Sequence, residues 1–385
     1  MRLIFAGTPQ IAVPTLEALL ASEHEVVAVI TQPDARGKRG KTLHPSPVKT
    51  AALEHGLTVL TPDQASDPEV IAQIAALEAD AAAVVAYGQI LKPELLAAVR
   101  IAWVNLHFSL LPQWRGAAPV QRAIMAGDEV SGASTFVIEQ GLDTGPVIGT
   151  LTEFIRPTDT SGDLLARLGD AGAPLMVQSL TALGTGQASP VSQGGDGVSY
   201  AHKLSRDDAY VRWDLAAHVV DRQIRGCTPA PGAWTTLPDG TVAKLGPVTI
   251  VPDAVGTVPG QVRLGDGGSA TAAPSGAAPA GSGLHGHSHD GHSHDGDTHH
   301  GDTHDGDTQD RDTHDGHTDD GDTHDGRPHE RHPTDAHAFD DLVLVGTGTH
   351  SVALSWIAAA GKKPMPASDW WRGARLGDAA VLGES

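Results

Sequence analysis

Short apolar runs alternate with amphipathic stretches over the first hundred residues. Leu3-Ile4-Phe5-Ala6 has the pattern of a buried strand and is closed by Gly7-Thr8-Pro9; Leu16, Leu19 and Leu20 then recur at helical spacing. Residues 26–30 form a β-branched run and Val59-Leu60 a weaker one. Residues 70–77 read as an amphipathic helix, 82–85 as a strand, 95–99 as helical and 103–106 as a further strand. Strands separated by helices predict βαβ units around a parallel sheet, which is covered on both faces and so suits short, wholly apolar strands. A helix over 118–125, β segments over 134–138 and 146–151, and a long helix over 164–183 complete a first domain, residues 1–183. Thr158-Asp159-Thr160-Ser161 supplies N-cap residues for the long helix.

The pattern then changes. Residues 184–197 are rich in Gly, Ser and Gln, and a linker is expected over 184–204. One helix follows over 214–224. Beyond it come short β-like runs at 233–235, 242–245, 248–251, 261–263, 342–345 and 352–356, punctuated by Gly and Pro. Such runs predict a small barrel or sandwich as a second domain, residues 205–385. Residues 266–340 interrupt it with Gly/Ala/Ser/Pro filler and degenerate His-Ser-His-Asp-Gly and Gly-Asp-Thr-His-Asp-Gly units. Almost no large apolar residue lies between Leu284 and Phe339, so burial cannot offset the entropy of ordering. A disordered His/Asp-rich insertion in a loop between two strands is expected.

Charge is as uneven as pattern. The net charge of −21 over 385 residues suggests a poor partner for nucleic acid. Yet residues 285–341 hold 17 acidic side chains against Arg311, Arg327 and Arg331, together with 14 of the 21 histidines. Most of the negative charge therefore belongs to the insertion, and local patches decide partners. The single cysteine, Cys227, excludes an internal disulfide framework and a cysteine-based zinc site, and fits a reducing compartment. The apolar run at the start is too short for a signal peptide, and the longest one, residues 81–86, is far below the roughly 20 residues that cross a bilayer. A cytoplasmic protein without membrane contact is expected.

The stretch Asn105-Leu106-His107-Phe108-Ser109-Leu110-Leu111-Pro112-Gln113-Trp114-Arg115-Gly116-Ala117-Ala118-Pro119 begins at the end of a predicted parallel strand, where open α/β sheets bind ligands. Asn105 and His107 are two apart, so on a strand they face the same way. An amide and an imidazole side by side can both donate toward one oxygen on which negative charge develops. Asp143, in Gly141-Leu142-Asp143-Thr144-Gly145, could fix the protonation of the imidazole and take a proton from an attacking amine. The same residue types also serve as ordinary caps and turns at strand ends. No Ser or Cys is placed as an obvious nucleophile, which favours direct transfer over a covalent intermediate. Gly7-Thr8-Pro9 lacks the Gly-x-Gly-x-x-Gly spacing, so the predicted topology does not imply NAD.

These motifs together resemble the 10-formyltetrahydrofolate-dependent formyltransferases, and within them the branch that acts on initiator tRNA. Further segments carry the resemblance: Phe5-Ala6-Gly7-Thr8-Pro9, Thr31-Gln32-Pro33-Asp34, Pro45-Ser46-Pro47-Val48-Lys49, Val85-Ala86-Tyr87-Gly88, Tyr200-Ala201-His202-Lys203-Leu204-Ser205 and Gly361-Lys362-Lys363-Pro364-Met365. It runs from Met1 to about Leu376, apart from the insertion. It implies a Rossmann-like α/β N-terminal domain that binds the folate and an OB-like β-barrel C-terminal domain that helps hold tRNA. It also implies movement of the formyl group from N10 of the folate to the α-amine of methionine on initiator tRNA. Asn105 would polarise the formyl oxygen, His107 would stabilise the oxyanion, and Asp143 would orient His107 and assist proton transfer. Tyr87, Gly88, Ile90 and Leu91, with Ser109, Leu110, Leu111 and Pro112, would line the folate site. No metal is required by that chemistry.

Residues 36–49 hold Arg36, Lys38, Arg39, Lys41 and Lys49 and no acid, without an apolar period, and read as a mobile surface loop. A basic run is usually only a solvated face; in the resembled family the corresponding loop enters the tRNA acceptor stem. Lys362 and Lys363 would meet RNA phosphates, while Trp370 and Trp371 pack against the barrel. The insertion departs from the family pattern. Its His-x-His and His-Asp spacings bind divalent metals weakly and incidentally. A monomer is expected. Two alternatives remain on sequence grounds: formyl transfer to a small amine, and a metal-buffering protein acting through the insertion.

Overall fold

The computed structural model describes residues 1–36, 42–255, 258–265, 342–377 and 380–383. The expected insertion lies outside these residues. Seven strands form the N-terminal sheet: β1 (Arg2–Gly7), β2 (Glu25–Ile30), β3 (Val59–Leu60), β4 (Ala81–Val85), β5 (Ala102–His107), β6 (Val130–Val137) and β7 (Val147–Phe154). Their order is β7-β6-β5-β4-β1-β2-β3. The five strands from β5 to β3 run parallel, whereas β6 and β7 add to β5 in antiparallel fashion. The predicted sheet is therefore mostly parallel, with an antiparallel flank.

Strand alternation explains the core. In β1, Leu3 and Phe5 join a cluster on one face with Leu16, Val104, Leu106, Leu168 and Met176. Ile4 and Ala6 join one on the other face with Ala82, Val84, Trp103, Ile74 and Leu95. Both faces are thus buried, and each fully buried Leu, Ile or Phe contributes about 1.5–3 kcal/mol.

Helices α1 (Val13–Leu20), α2 (Pro47–Glu54), α3 (Pro68–Ala75) and α4 (Pro119–Ala126) connect the strands, each with proline in its first turn, where a backbone donor is not needed. Residues 95–99, expected as helical, form only one turn, Pro93–Leu96. The long helix α5 (Ser161–Gly184) begins with a capping box: Thr160 Oγ1 accepts from the Asp163 N–H, and Asp163 Oδ2 accepts from the Thr160 N–H.

The C-terminal part is β-rich. One antiparallel sheet orders Trp234–Thr236, Val242–Leu245, Trp356–Ala359 and Met365–Pro366; a second orders Val248–Val255, His350–Leu354, Val343–Gly346 and Val262–Leu264. They enclose a core with Val220 and Ile224 of α6 (Ala217–Gly226), and Trp370 and Trp371 of α7 (Ala367–Ala374) pack against it. The two domains meet where α4 packs on α6. Arg122 of α4 donates to both carboxylate oxygens of Asp208, at 3.1 and 3.2 Å, and Arg225 donates to the Asp159 carbonyl at 2.8 Å.

Residues 191–201, within the expected linker, are bonded along the N-terminal domain. Val191 exchanges backbone hydrogen bonds of 2.8 Å with Val147, and Tyr200 and Ala201 pair in parallel with Arg115 and Gly116. Glycine, serine and glutamine supply few apolar side chains, but their backbone and polar groups are well suited to such a strip.

Candidate active site

Strand β5 ends at the site. Its Asn105 pairs with Val84 of parallel β4 on one side and with Phe136 of antiparallel β6 on the other. At this reversal of strand direction a cavity of about 540 Å³ opens, and Asn105, His107 and Asp143 all line it. Its walls combine the apolar side chains of Leu106, Phe108, Phe136 and Ile138 with the polar ones of Gln89, Glu139 and Gln140. The volume and the lining are those of a small-molecule site.

Among the described residues, the Asn105 side-chain amide has no hydrogen-bond partner, so both its donors remain for a bound group. His107 is 6% exposed. Its Nε2 lies 2.9 Å from the Trp114 carbonyl and its Nδ1 lies 3.7 Å from Asp143 Oδ2. Burial pushes the imidazole pKa below its usual 6.5, against the opposing pull of the Asp143 carboxylate and the Trp114 carbonyl. Desolvation wins because the ring is almost wholly enclosed while Asp143 stands beyond hydrogen-bond distance.

Asp143 sits on a loop with φ +51°, a left-handed conformation that non-glycine residues rarely adopt. Its Oδ2 accepts from the Gly116 N–H at 2.8 Å. Trp114 likewise has φ +58°; its N–H donates to Ser199 Oγ at 2.9 Å and its indole to Asp128 at 2.8 Å. The hydrogen bonds on Trp114 and Asp143 thus hold the two loops that flank His107 in unfavourable backbone states.

Tyr87, Gly88, Ile90 and Leu91 line the same cavity. Ile90 is 86% exposed, and Leu142, at 57%, joins it among the lining residues. The Tyr87 hydroxyl is buried without a partner, and burial pushes its pKa up to about 12. Ser109, Leu110, Leu111 and Pro112 do not line the cavity. Ser109 bonds Gln113 and Ser134 at 2.6 and 2.7 Å, and Leu111 N–H donates to Ser134 Oγ, so this loop supports the approach to Trp114 from behind.

Arg36 is exposed, and Lys38, Arg39 and Lys41 lie outside the described residues. Lys362 and Lys363 are exposed; Lys362 borders a second cavity of about 540 Å³, with Lys244, Trp234 and Arg206, whose guanidinium stacks 4.6 Å over the Trp234 ring. Among the described residues no cluster of three or more His, Cys, Asp or Glu is arranged to hold a metal, and no helix is long and apolar enough to cross a membrane.

Sequence reasoning missed Trp114, Gly116 and Gln193. The first two lay within the motif stretch, but their roles are backbone roles that residue type does not announce. Gln193 carried no signal at all.

Comparison with known proteins identifies the family. Residues 1–180 match the family described as formyl transferase, and residues 203–273 match the formyl transferase C-terminal domain. The chain is 46% identical over 384 residues to a methionyl-tRNA formyltransferase of Thermobifida fusca, covering 100% of both chains. It is 44% identical over 381 residues to one of Mycobacteroides abscessus, covering 99% of both. Among solved structures, HypX from Aquifex aeolicus in complex with tetrahydrofolic acid shares the fold, with a TM-score of 0.54 at 12% identity; the match covers 96% of this chain but only 46% of HypX. The chain belongs to the formyl transferase family, among the methionyl-tRNA formyltransferases.

Proposed function

We propose that the chain transfers the formyl group of 10-formyltetrahydrofolate to the α-amine of methionine carried on initiator tRNA. The observation that carries this reading is the convergence of an unpartnered Asn105 amide, a buried His107 imidazole and the Asp143 carboxylate on one cavity. The folate supplies an activated formyl group; everything else falls to these side chains and the loops that hold them.

Asn105 donates to the formyl oxygen, on which negative charge grows as the amine attacks. His107 lines the same cavity; its Nε2–H is held by the Trp114 carbonyl, so it donates to the formyl oxygen from Nδ1 when Nδ1 carries a proton. Fixed donors of this kind are each worth about 2.7–4 kcal/mol of barrier. Asp143 accepts the proton shed by the attacking amine, which must be neutral to attack. The bond from the amine nitrogen to the formyl carbon forms, the bond from that carbon to N10 breaks, and N10 takes up a proton. Apolar walls from Leu106, Phe108, Phe136 and Ile138 lower the local dielectric and strengthen these interactions. The exposed Ile90 and Leu142 give a flat aromatic ring system an apolar surface.

The β-rich C-terminal domain acts as an OB-like barrel that holds the tRNA, with Lys362 and Lys363 on phosphates. Arg36, Lys38, Arg39 and Lys41 reach the acceptor stem. The protein works as a monomer in the cytoplasm, and its chemistry uses no metal.

The test is a formylation assay with 10-formyltetrahydrofolate and three acceptors: charged initiator tRNA, free methionine and a small ribonucleotide amine. Product on the charged tRNA alone is expected. Product on the small amine alone would retain the chemistry of Asn105, His107 and Asp143 and overturn the tRNA reading.

A further inference from the structure

Gln193 lies in the segment that returns along the N-terminal domain, fifty residues beyond Asp143. Its side-chain amide is fully engaged. Nε2 donates to the carbonyl oxygens of Asp143, at 2.9 Å, and Gly145, at 2.8 Å. Oε1 accepts from Arg115 Nε at 3.1 Å and from Nη2 at 2.7 Å. The guanidinium only donates and the carbonyls only accept, so the amide has one orientation that satisfies both sides. Arg115, 8% exposed, lies between Trp114, whose carbonyl meets His107, and Gly116, whose N–H holds the Asp143 carboxylate. A closed circuit results: Asp143 carboxylate, Gly116, Arg115, Gln193, Asp143 carbonyl.

The circuit has a physical task. Asp143 is held at φ +51°, a strained state that persists only where surrounding contacts enforce it. Gln193 supplies two of those contacts. It is itself anchored two residues earlier, where Val191 bridges Val147. We propose that Gln193 is a positioning residue: it holds the Asp143 loop against Gly116, so that the carboxylate stays directed at His107. The inference rests on the catalytic reading of Asp143 given above.

The test is a mutant cycle. Gln193→Glu keeps the acceptor for Arg115 but sets a carboxylate against two carbonyl oxygens; Gln193→Met removes all four bonds at similar volume. Either variant is expected to lower kcat about ten- to a hundredfold. KM for 10-formyltetrahydrofolate and the dissociation constant for 5-formyltetrahydrofolate should stay within about twofold of wild type. In an Asp143→Ala background, single-turnover rates should change by less than about twofold on adding either Gln193 substitution, because the group being positioned is gone. Losses that multiply in that background would overturn the inference, since Gln193 would then act elsewhere. Normal turnover in both Gln193 variants, with Asp143→Ala impaired, would overturn it while leaving the catalytic reading intact. Normal turnover in Asp143→Ala alone would overturn the catalytic reading and this inference with it. Should the Glu variant lose its near-ultraviolet circular dichroism, the Met variant decides by the same criteria.

Discussion

The carbonyl oxygen of Trp114 lies 2.9 Å from Nε2 of His107, on the opposite side of the ring from Asp143. Both ring nitrogens therefore face oxygen atoms, and the Phe136 ring stands edge-on to the imidazole, with centroids 6.4 Å apart. Two loops from different parts of the chain determine where the ring points. The ring's protonation follows from the balance between enclosure and these oxygens.

The two cavity-lining side chains of β5, Asn105 and His107, should be the largest single contributors to turnover. Asn105→Ala and His107→Ala are each expected to reduce kcat by about a hundred- to a thousandfold, with KM for the folate changed far less. Steady-state formylation at saturating tRNA measures this, with circular dichroism confirming the fold. A variant within a few-fold of wild type would remove that side chain from the mechanism.

Stability should depend on pH through the same histidine. Burial holds the folded-state pKa of His107 below 6.5, whereas the unfolded chain takes up the proton near 6.5. Between the two values the unfolded state binds more protons, so this contribution is complete above about pH 6.5 and is lost as pH falls below it. His24, also lowered by burial, acts in the same direction. The thermal midpoint should fall between about pH 7.5 and about pH 5.5, and fall less in His107→Gln. An equal or larger fall in that variant would show that His107 is not the buried neutral group described.

Gly116 has no room for a side chain. Its φ is +123°, and a Cβ there would stand 2.7 Å from the Ala201 carbonyl oxygen. Gly116→Ala should therefore destabilise the protein by about 1–3 kcal/mol in urea denaturation. It should also lower kcat, because the Gly116 N–H holds Asp143. Unchanged stability would mean that the 200–201 strip moves away without cost.

Binding of tRNA should depend on charge rather than on the folate cavity. Arg39→Ala with Lys41→Ala, and Lys362→Ala with Lys363→Ala, should each raise KM for charged tRNA and leave KM for the folate unchanged. Each lost phosphate contact should reduce the slope of log affinity against log salt by about 1. Equal damage to both substrates would place these residues at the folate site instead.

Much of this was legible in the chain. The strand and helix periods of residues 1–183 predicted the parallel sheet because both faces of its strands are buried, and runs such as Leu3–Ala6 show that directly. The antiparallel flank was not legible: β6 alternates no differently from a parallel strand, and direction is set by how the connection returns. Asn105 and His107 stood out by their spacing of two at a predicted strand end, and Asp143 by the motif resemblance; the structure sets all three on one cavity. Trp114, Gly116 and Gln193 did not stand out. Their contributions are a carbonyl, an N–H and a pair of long-range amide bonds, which exist only once the 191–201 segment has returned to the sheet.

That return separates two boundaries that a domain map treats as one. A fragment cut at Gly184 would keep all seven strands of its sheet and the helix α5. It would lose the Ser199 partner of Trp114, the strand pairing of Arg115 and Gly116, and the amide that bridges Arg115 to Asp143. The stretch that completes the sheet is thus shorter than the stretch that completes the active site. A catalytic fragment of this protein has to extend past Ala201, into what composition alone marks as connecting chain.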